Sequence, residues 1–195
     1  MSALFERLRR DRRGVAAVEF AMISLVMFLM ILGAQDLLHR EYVQDVLDGE
    51  MQRVARDSTL EGASLKLNEI DGRMRRAVRR VASEAVITVE RDTYPTFLAI
   101  KPERFDDASG NGKRDAGECF DDINGNRAWD VKPGRSGQGG ANDVTVIRAT
   151  VTFPHLFPMA RMFGAGPKQV LASETVLKNQ PFDAQTVMTP VPICN

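Results

Sequence analysis

Residues 9–33 read RRDRRGVAAVEFAMISLVMFLMILG. Four arginines precede Gly14, and the run that follows, residues 15–33, is almost purely apolar and contains one acid, Glu19. At the helical rise of about 1.5 Å per residue, this run is long enough to cross the hydrocarbon core of a bilayer, which is roughly 30 Å thick. We therefore expect residues 15–33 to form a transmembrane helix embedded in the lipid bilayer.

The distribution of charge around this run predicts its orientation. The arginine cluster before it has no equally dense counterpart after it, so the positive-inside rule makes residues 1–14 a cytoplasmic leader and exports residues 34–195. A cleaved secretory signal is the main alternative, but no small-x-small pair lies around Gly33. A twin-arginine signal fits less well because the apolar run contains an acid.

Glu19 is a residue that a simple anchor would not need. A charged side chain in an apolar helix costs up to about 2.5–3.5 kcal/mol on insertion scales, and less near an interface. One interpretation places Glu19 at the lipid headgroups, where its cost is small. The other gives it a cationic partner: cleavage after Gly14 would create an α-amino group on Val15, in this chain or in a neighbouring one.

These residues resemble the N-terminus of the TadE/TadF-like minor pseudopilins of the tight-adherence (Flp) pilus system. Gly14, Glu19 and Phe20 match the cleavage glycine, the acid at the fifth mature position and the following aromatic residue of that family. The resemblance covers about the first forty residues. It implies processing between Gly14 and Val15 by a prepilin peptidase, and association with other pilin or pseudopilin subunits and inner-membrane platform proteins.

The fold expected is α+β, with a long N-terminal helix as a spine, a second helix and a small, mainly antiparallel sheet. Apolar spacing continues the first helix to about Ala55, and the segment Asp57–Ala63, with Ser58 and Glu61 at capping-box spacing, predicts a break before the second helix. The two apolar stripes are Val43, Leu47, Met51 and Val54, then Leu67, Ile70, Met74, Val78, Val81 and Ala85. The predicted strands are Val86–Arg91, Thr96–Ile100, Val144–Phe153 and Val170–Leu177, and an irregular tail follows from Gln180 to Asn195.

A loop between the last two strands, residues 153–168, is divided by prolines and is unusually apolar. Its large apolar residues are Phe157, Met159, Met162 and Phe163. They predict either a flap over the core or an exposed patch for a neighbouring subunit.

A repeat with a period of fifteen residues lies within the insertion 105–133. Its first copy places oxygen-bearing residues at positions 1, 3, 5, 7, 9 and 12 of an EF-hand type calcium loop, with Gly112 at position 6. These residues are Asp107, Ser109, Asn111, Lys113, Asp115 and Glu118, of which Lys113 would contribute only its carbonyl. The pattern predicts calcium as a ligand, and the alternative is a polar turn that binds nothing.

The second copy keeps four of the ligand positions: Asp122, Asn124, Asn126 and Asp130. It has Arg127 where the glycine belongs and Pro133 in place of the closing acid, which predicts a degraded or differently closed site. Cys119 and Cys194 would both lie on the exported side, where a disulfide can form, although their distance apart cannot be inferred from the sequence.

Other function classes receive little support. The formal charge is zero and no basic face typical of nucleic-acid binding is found. Neither His39 nor His155 belongs to a triad or a zinc motif, so we expect no enzyme. The sequence thus predicts a single-pass inner-membrane pseudopilin with a periplasmic domain. The alternative is an anchored periplasmic or surface calcium-binding, adhesive module.

Overall fold

The computed structural model describes residues 13–60, 62–157, 161, 164, 166–181 and 190–194. It contains the helices α1 (Arg13–Ser58) and α2 (Leu67–Val81), with two short 3-10 helices at Ala63–Lys66 and Phe97–Ile100. The strands are β1 (Val86–Tyr94), β2 (Cys119–Asp122), β3 (Arg135–Ser136), β4 (Val144–Pro154), β5 (Lys168–Lys178) and β6 (Val191–Cys194). The chain divides into two compact units, one of residues 1–42 with 154–169 and the other of residues 43–153 with 170–195.

The first unit contains the apolar run as part of α1. Its large side chains are mostly exposed, with Val18, Ile23 and Phe28 each more than half accessible. Exposed apolar surface on this scale is unfavourable in water and favourable in hydrocarbon. Within the described residues, α1 is the one helix long and apolar enough to cross a membrane, and it fits a membrane anchor.

The second unit is built on a four-stranded sheet in the order β3-β1-β4-β5. Strand β1 pairs antiparallel with β4 in the register Val86↔Thr152 to Tyr94↔Val144, and with the short β3 on its other side. Alternate residues of β4 point to opposite faces. Ile147, Ala149, Val151 and Phe153 face the main core, whereas Val144 and Val146 belong to a smaller cluster with Tyr94 and Ala99.

The main core confirms the first predicted helical stripe and most of the second, from which Leu67 is missing. Val43, Leu47, Met51 and Val54 of α1 are buried, together with Ile70, Met74 and Val78 of α2. They lie in one cluster with side chains of β1, β4 and β5. The spacing of four, four and three residues keeps the α1 side chains on one face, which is why this part of the helix can cover a sheet.

Three predictions about secondary structure are wrong. The apolar stretch Thr96–Ile100 forms a 3-10 helix rather than a strand, because Pro95 ends the pairing of β1 and the turn is closed by Ala99 N–H donating to Thr96 O at 3.1 Å. The C-terminal tail is not irregular throughout, since Val191–Cys194 pairs with β2. Residues 182–189 of that tail lie outside the described residues.

The chain breaks between the helices within Asp57–Ala63, as predicted, but the third error concerns the cap of the second helix. Helix α1 continues to Ser58, so this residue ends the first helix instead of capping the second, and Ala85 lies beyond α2. The backbone instead turns at Gly62, whose φ of 74° suits a residue without a side chain. Glu61 of the predicted capping box lies outside the described residues.

Met74 provides a test of the main core. Its side chain is fully buried on α2, so Met74→Ala would remove packed apolar atoms and leave a cavity. We expect a loss of about 2–5 kcal/mol in the free energy of unfolding, measured by chemical denaturation of the full-length protein in detergent micelles. Exposed Leu98→Ala is the control, and an equal loss in both variants would contradict this description of the core.

Candidate functional site

The residues predicted to mark processing lie on the first turns of α1. Gly14, Val15, Glu19 and Phe20 are all exposed helical residues. Val15 and Glu19 are four positions apart and therefore lie on the same side of the helix. A charge on the nitrogen of Val15 could thus be met by Glu19 of the same chain or of an adjacent one.

The first repeat folds into a loop organised by Asp107. Its two carboxylate oxygens accept hydrogen bonds from the backbone N–H groups of Asn111 at 3.1 Å and Gly112 at 2.8 Å. The φ of 74° at Gly112 allows the backbone to turn back on the carboxylate at this point. Asp107, at position 1 of the repeat, therefore orders the backbone of Asn111 and Gly112, at positions 5 and 6, around its carboxylate.

Glu118 closes this first loop from the other end. One of its oxygens accepts the N–H of Ser109 at 3.2 Å and the other accepts the N–H of Asp115 at 2.9 Å. Asp115 itself accepts bonds from the Ser109 hydroxyl at 3.2 Å and the Asn111 amide at 2.7 Å. The structure thus brings together five of the six predicted ligands. Lys113 is exposed, and its N–H donates to the Asn111 side chain at 2.7 Å.

The second repeat forms a similar loop despite its missing glycine. Asp122 accepts the N–H groups of Gly125 at 2.6 Å and Arg127 at 2.8 Å. Arg127 takes up a positive φ of 62° where the first loop has glycine. The amides of Asn124 and Asn126 both donate to Asp130, at 2.8 and 2.6 Å. All four predicted residues of this copy therefore converge.

The second loop is closed by Glu103, which the sequence analysis did not identify. Glu103 is only 1% exposed, and its oxygens accept the N–H of Ile123 at 2.8 Å and of Asp130 at 2.9 Å. Glu118 makes a similar arrangement in the first loop, where its contact with Asp115 corresponds to that of Glu103 with Asp130, and its second contact lies one position further along the repeat. The signal was present in the sequence, because Glu103 precedes Glu118 by one period of fifteen residues. The EF-hand pattern places the closing acid after the loop, where Pro133 stands, and therefore does not point to Glu103.

The two closing acids exchange loops because their flanking segments are paired antiparallel. Phe105 and Phe120 form a β-bridge, with Asp106 N–H donating to Cys119 O at 2.8 Å and Asp121 N–H to Arg104 O at 2.9 Å. Each glutamate precedes one of the paired segments. The repeats are therefore related by an approximate twofold arrangement, in which the glutamate that precedes each paired segment closes the loop that follows the other segment.

Further contacts attach this double loop, residues 103–130, to its surroundings. Trp129 donates its ring N–H to Glu103 O at 2.9 Å and packs edge-on against Phe105, with ring centroids 5.8 Å apart. Ile123 packs on the smaller apolar cluster of the sheet. Cys119 and Cys194 are joined by a disulfide, and they stand opposite each other in the β2–β6 pair. These contacts hold the double loop between the sheet and the C-terminal strand.

The side-chain groups available as metal ligands determine which ion the double loop could hold. Within the described residues, no group of three or more His, Cys, Asp or Glu side chains is arranged to bind a metal ion. The groups around Asp115 and Asp130 are instead side-chain amides and a hydroxyl, which donate hydrogen bonds to these carboxylates. Carboxylate, amide and hydroxyl oxygens are all ligands that calcium accepts. An asparagine amide could present its oxygen to a cation by rotating about its last bond.

The pKa of Asp107 offers a test of the first loop. The N–H of Gly112, together with that of Asn111 and the Ser109 hydroxyl, lowers the pKa of this carboxyl below its usual value. The hydrogen bonds are therefore fully present above the unfolded value of about 3.9 and are lost as the pH falls through the lower folded value. We expect the Gly112 amide proton in NMR spectra to titrate with a midpoint below 3.9, and this titration to vanish in Asp107→Asn. A midpoint at or above the ordinary value would contradict the loop geometry.

The comparisons with known proteins bear on α1 alone. The family model described as TadE-like protein matches residues 14–57, which begin at the predicted cleavage glycine and end one residue before the helix does. No curated protein and no solved structure matches the chain. The matched segment includes both the apolar run and the stripe that packs on the sheet. The chain therefore carries a TadE-like segment at residues 14–57, consistent with a TadE/TadF-like pilus component.

Proposed function

We propose that this protein is a minor pseudopilin-like structural component of a tight-adherence pilus assembly machine. The observation that carries the proposal is the TadE-like match at residues 14–57, on a helix that is apolar and exposed in its N-terminal part. The helix would anchor the chain in the inner membrane and pack against other pilin-type subunits. The role is structural rather than enzymatic.

Processing and topology form the second part of the proposal. The arginines at 9–13 keep the leader in the cytoplasm, a prepilin peptidase cleaves after Gly14, and the sheet-bearing unit is periplasmic. Platform proteins of the inner membrane would receive the mature helix. The support is the order of the basic leader, Gly14, Glu19 and Phe20 within an apolar helix.

Cleavage can be tested with two matched glycine variants. A Cβ added at Gly14 or at Gly33 meets no atom within 4 Å, so leucine at either position leaves the helix intact. With a prepilin peptidase co-expressed, N-terminal sequencing of the unmodified protein should find a chain that starts at Val15. Gly14→Leu should block this cleavage and Gly33→Leu should not. A chain that is never cut, or is cut equally in both variants, would refute the processing proposal.

We further propose that the double loop binds calcium and thereby stiffens the exported unit. In this proposal the first site uses Asp107, Ser109, Asn111, Lys113 O, Asp115 and Glu118. The second uses Asp122, Asn124, Asn126 and Asp130, with Glu103 as its closing carboxylate. The support is the convergence of these oxygen groups in two equivalent loops. Exported modules commonly use such sites at calcium concentrations of about 10⁻⁴–10⁻³ M.

The double loop also favours a second candidate function, in which the chain is an anchored calcium-binding or adhesive module and α1 serves only as an anchor. The two functions differ in what they require of Glu19. A pseudopilin needs this carboxylate for assembly, whereas a simple anchor does not. The Glu19 variant considered in the Discussion separates them.

A further inference from the structure

Asp36 lies just beyond the apolar run and is hydrogen-bonded to a distant segment of the first unit. One oxygen of its carboxylate lies 2.7 Å from Nδ1 of His155, and the other accepts the N–H of Leu156 at 2.8 Å. Gln169 also contacts His155, with 3.0 Å between its amide nitrogen and Nδ1. These residues are 119 to 133 positions from Asp36 in sequence, so the contacts fasten His155, Leu156 and Gln169 to α1 at one height along the helix.

The height of this attachment follows from helix geometry. Asp36 is three residues past Gly33, which places it about 4.5 Å beyond the end of the apolar run along the axis. Each headgroup layer of a bilayer is on the order of 5–7 Å thick outside the hydrocarbon core. If residues 15–33 span that core, Asp36 and the groups bonded to it lie within the headgroup layer.

The attached segment presents apolar side chains at this level. Leu156 is 47% exposed although its backbone is held by Asp36. It lines a groove whose other walls come from one side of α1, beginning within the apolar run. The residues of those walls are Ile31, Ala34, Gln35, Leu38, His39 and Tyr42. The groove therefore continues the exposed apolar surface of the run outward, with Gln35 and His39 as its polar wall residues.

We propose that residues 154–157 form a second membrane contact, which inserts Leu156 and Phe157 into the headgroup region of the leaflet that α1 leaves after Gly33. The sequence from Leu156 to Phe163 contains five large apolar residues and one cation, a composition that suits the boundary between headgroups and acyl chains. Asp36 is the positioning residue of this contact. The inference rests on the membrane anchor of the proposed function and adds a second point of attachment to it.

Lipid is the occupant that the observations favour for the groove. The groove is continuous with the surface of the transmembrane run, and at its height along α1 lipid headgroups surround the helix on every side. A neighbouring pilin subunit is the other candidate. It would have to cover the groove at the same level, so it would shield the groove only when several protein copies share one membrane.

The test uses tryptophan fluorescence of the full-length protein in nanodiscs of phosphatidylcholine and phosphatidylglycerol, at one protein copy per disc. Leu156→Trp and Phe157→Trp each place an indole in the segment, and the second is a conservative aromatic exchange. Leu37→Trp is the matched reference, because Leu37 is 58% exposed and follows Asp36 on the helix. The native Trp129 signal is measured in the unmodified protein and subtracted.

We expect brominated lipids to quench the Leu156→Trp and Phe157→Trp indoles by at least half as much as they quench the Leu37→Trp indole. Aqueous iodide should quench the Leu156→Trp and Phe157→Trp indoles less than it quenches free tryptophan. Adding Asp36→Ala should lower the lipid quenching of the segment probes while leaving the Leu37→Trp probe unchanged. That difference identifies Asp36 as a positioning residue, since general unfolding would change all three probes.

Two results would overturn the proposal. In the first, the segment indoles respond to iodide and not to brominated lipid. In the second, they become shielded only when several protein copies share a disc, which would assign the groove to a subunit contact. If the Leu37→Trp probe itself is not quenched by lipid, the membrane anchor has failed, and this result is distinguishable from failure of the second contact alone.

Discussion

We expect Glu19→Ala to abolish pilus assembly while the protein still inserts into the membrane. Glu19 is exposed on α1, in the part of the helix that the TadE-like match covers. Removing the carboxylate makes the run more apolar, so insertion should not suffer and should improve by up to about 2.5–3.5 kcal/mol. Assembly should fail because the amine created at Val15 would lose its partner within the membrane, where an unpaired charge is costly.

Two matched variants make this result specific. Glu19→Gln keeps the size of the side chain and removes its charge, so it should fail like Glu19→Ala. Ser24→Ala removes another polar side chain from the same run, one whose hydroxyl bonds locally to Ala21 O at 3.0 Å, and it should assemble normally. Surface pili are counted by electron microscopy and insertion is measured by membrane fractionation. Normal piliation of Glu19→Ala would favour the simple-anchor function.

The second large effect is expected from Glu103→Gln. Glu103 is almost completely buried, and it accepts hydrogen bonds from two backbone N–H groups. Hydrogen bonds to a charged group contribute about 1.5–3 kcal/mol each, and glutamine would turn its own N–H groups towards one of these donors. We expect a loss of about 2–4 kcal/mol in the free energy of unfolding. The corresponding drop in melting temperature would be about 5–15 °C for a chain of this length.

The controls for Glu103 separate its structural role from calcium binding. Exposed Glu84→Gln should leave the melting temperature unchanged. In calorimetric titrations with calcium, Glu103→Gln should lose the second site and Glu118→Gln the first, while the unmodified protein shows both. Retention of both sites in Glu103→Gln would contradict its role as closing acid. No calcium heat in the unmodified protein would refute calcium binding, whatever the thermal result.

The helical half of the protein was largely predictable from local sequence. Apolar length indicated the membrane-capable part of α1, and the spacing of Val43, Leu47, Met51 and Val54 indicated the face that packs on the sheet. Both signals repeat over neighbouring residues, so one window of sequence contains them entirely. The error at Ser58 arose because a capping box describes one turn only, whereas burial against the core carried α1 on to that residue.

The double loop was predictable in its ligand pattern but not in its closure. The positions of Asp107 and Glu118 follow a spacing that can be read directly, whereas Glu103 acts on a loop that begins nineteen residues after it. Its role depends on the antiparallel pairing of Phe105 with Phe120, which is a tertiary contact. For the same reason, the strand Val191–Cys194 could not be recognised from its short, proline-containing sequence.

The sequence by itself determined the features that depend on composition and short spacing: a basic leader, an apolar helix with Glu19, an amphipathic continuation and an acidic repeat. Only the tertiary structure decided which distant groups meet. It joined Glu103 to the second loop, Cys119 to Cys194, and Asp36 to His155. The physical reason is that buried polar groups must find partners wherever the folded chain brings them, and those partners lie tens to more than a hundred residues apart in sequence.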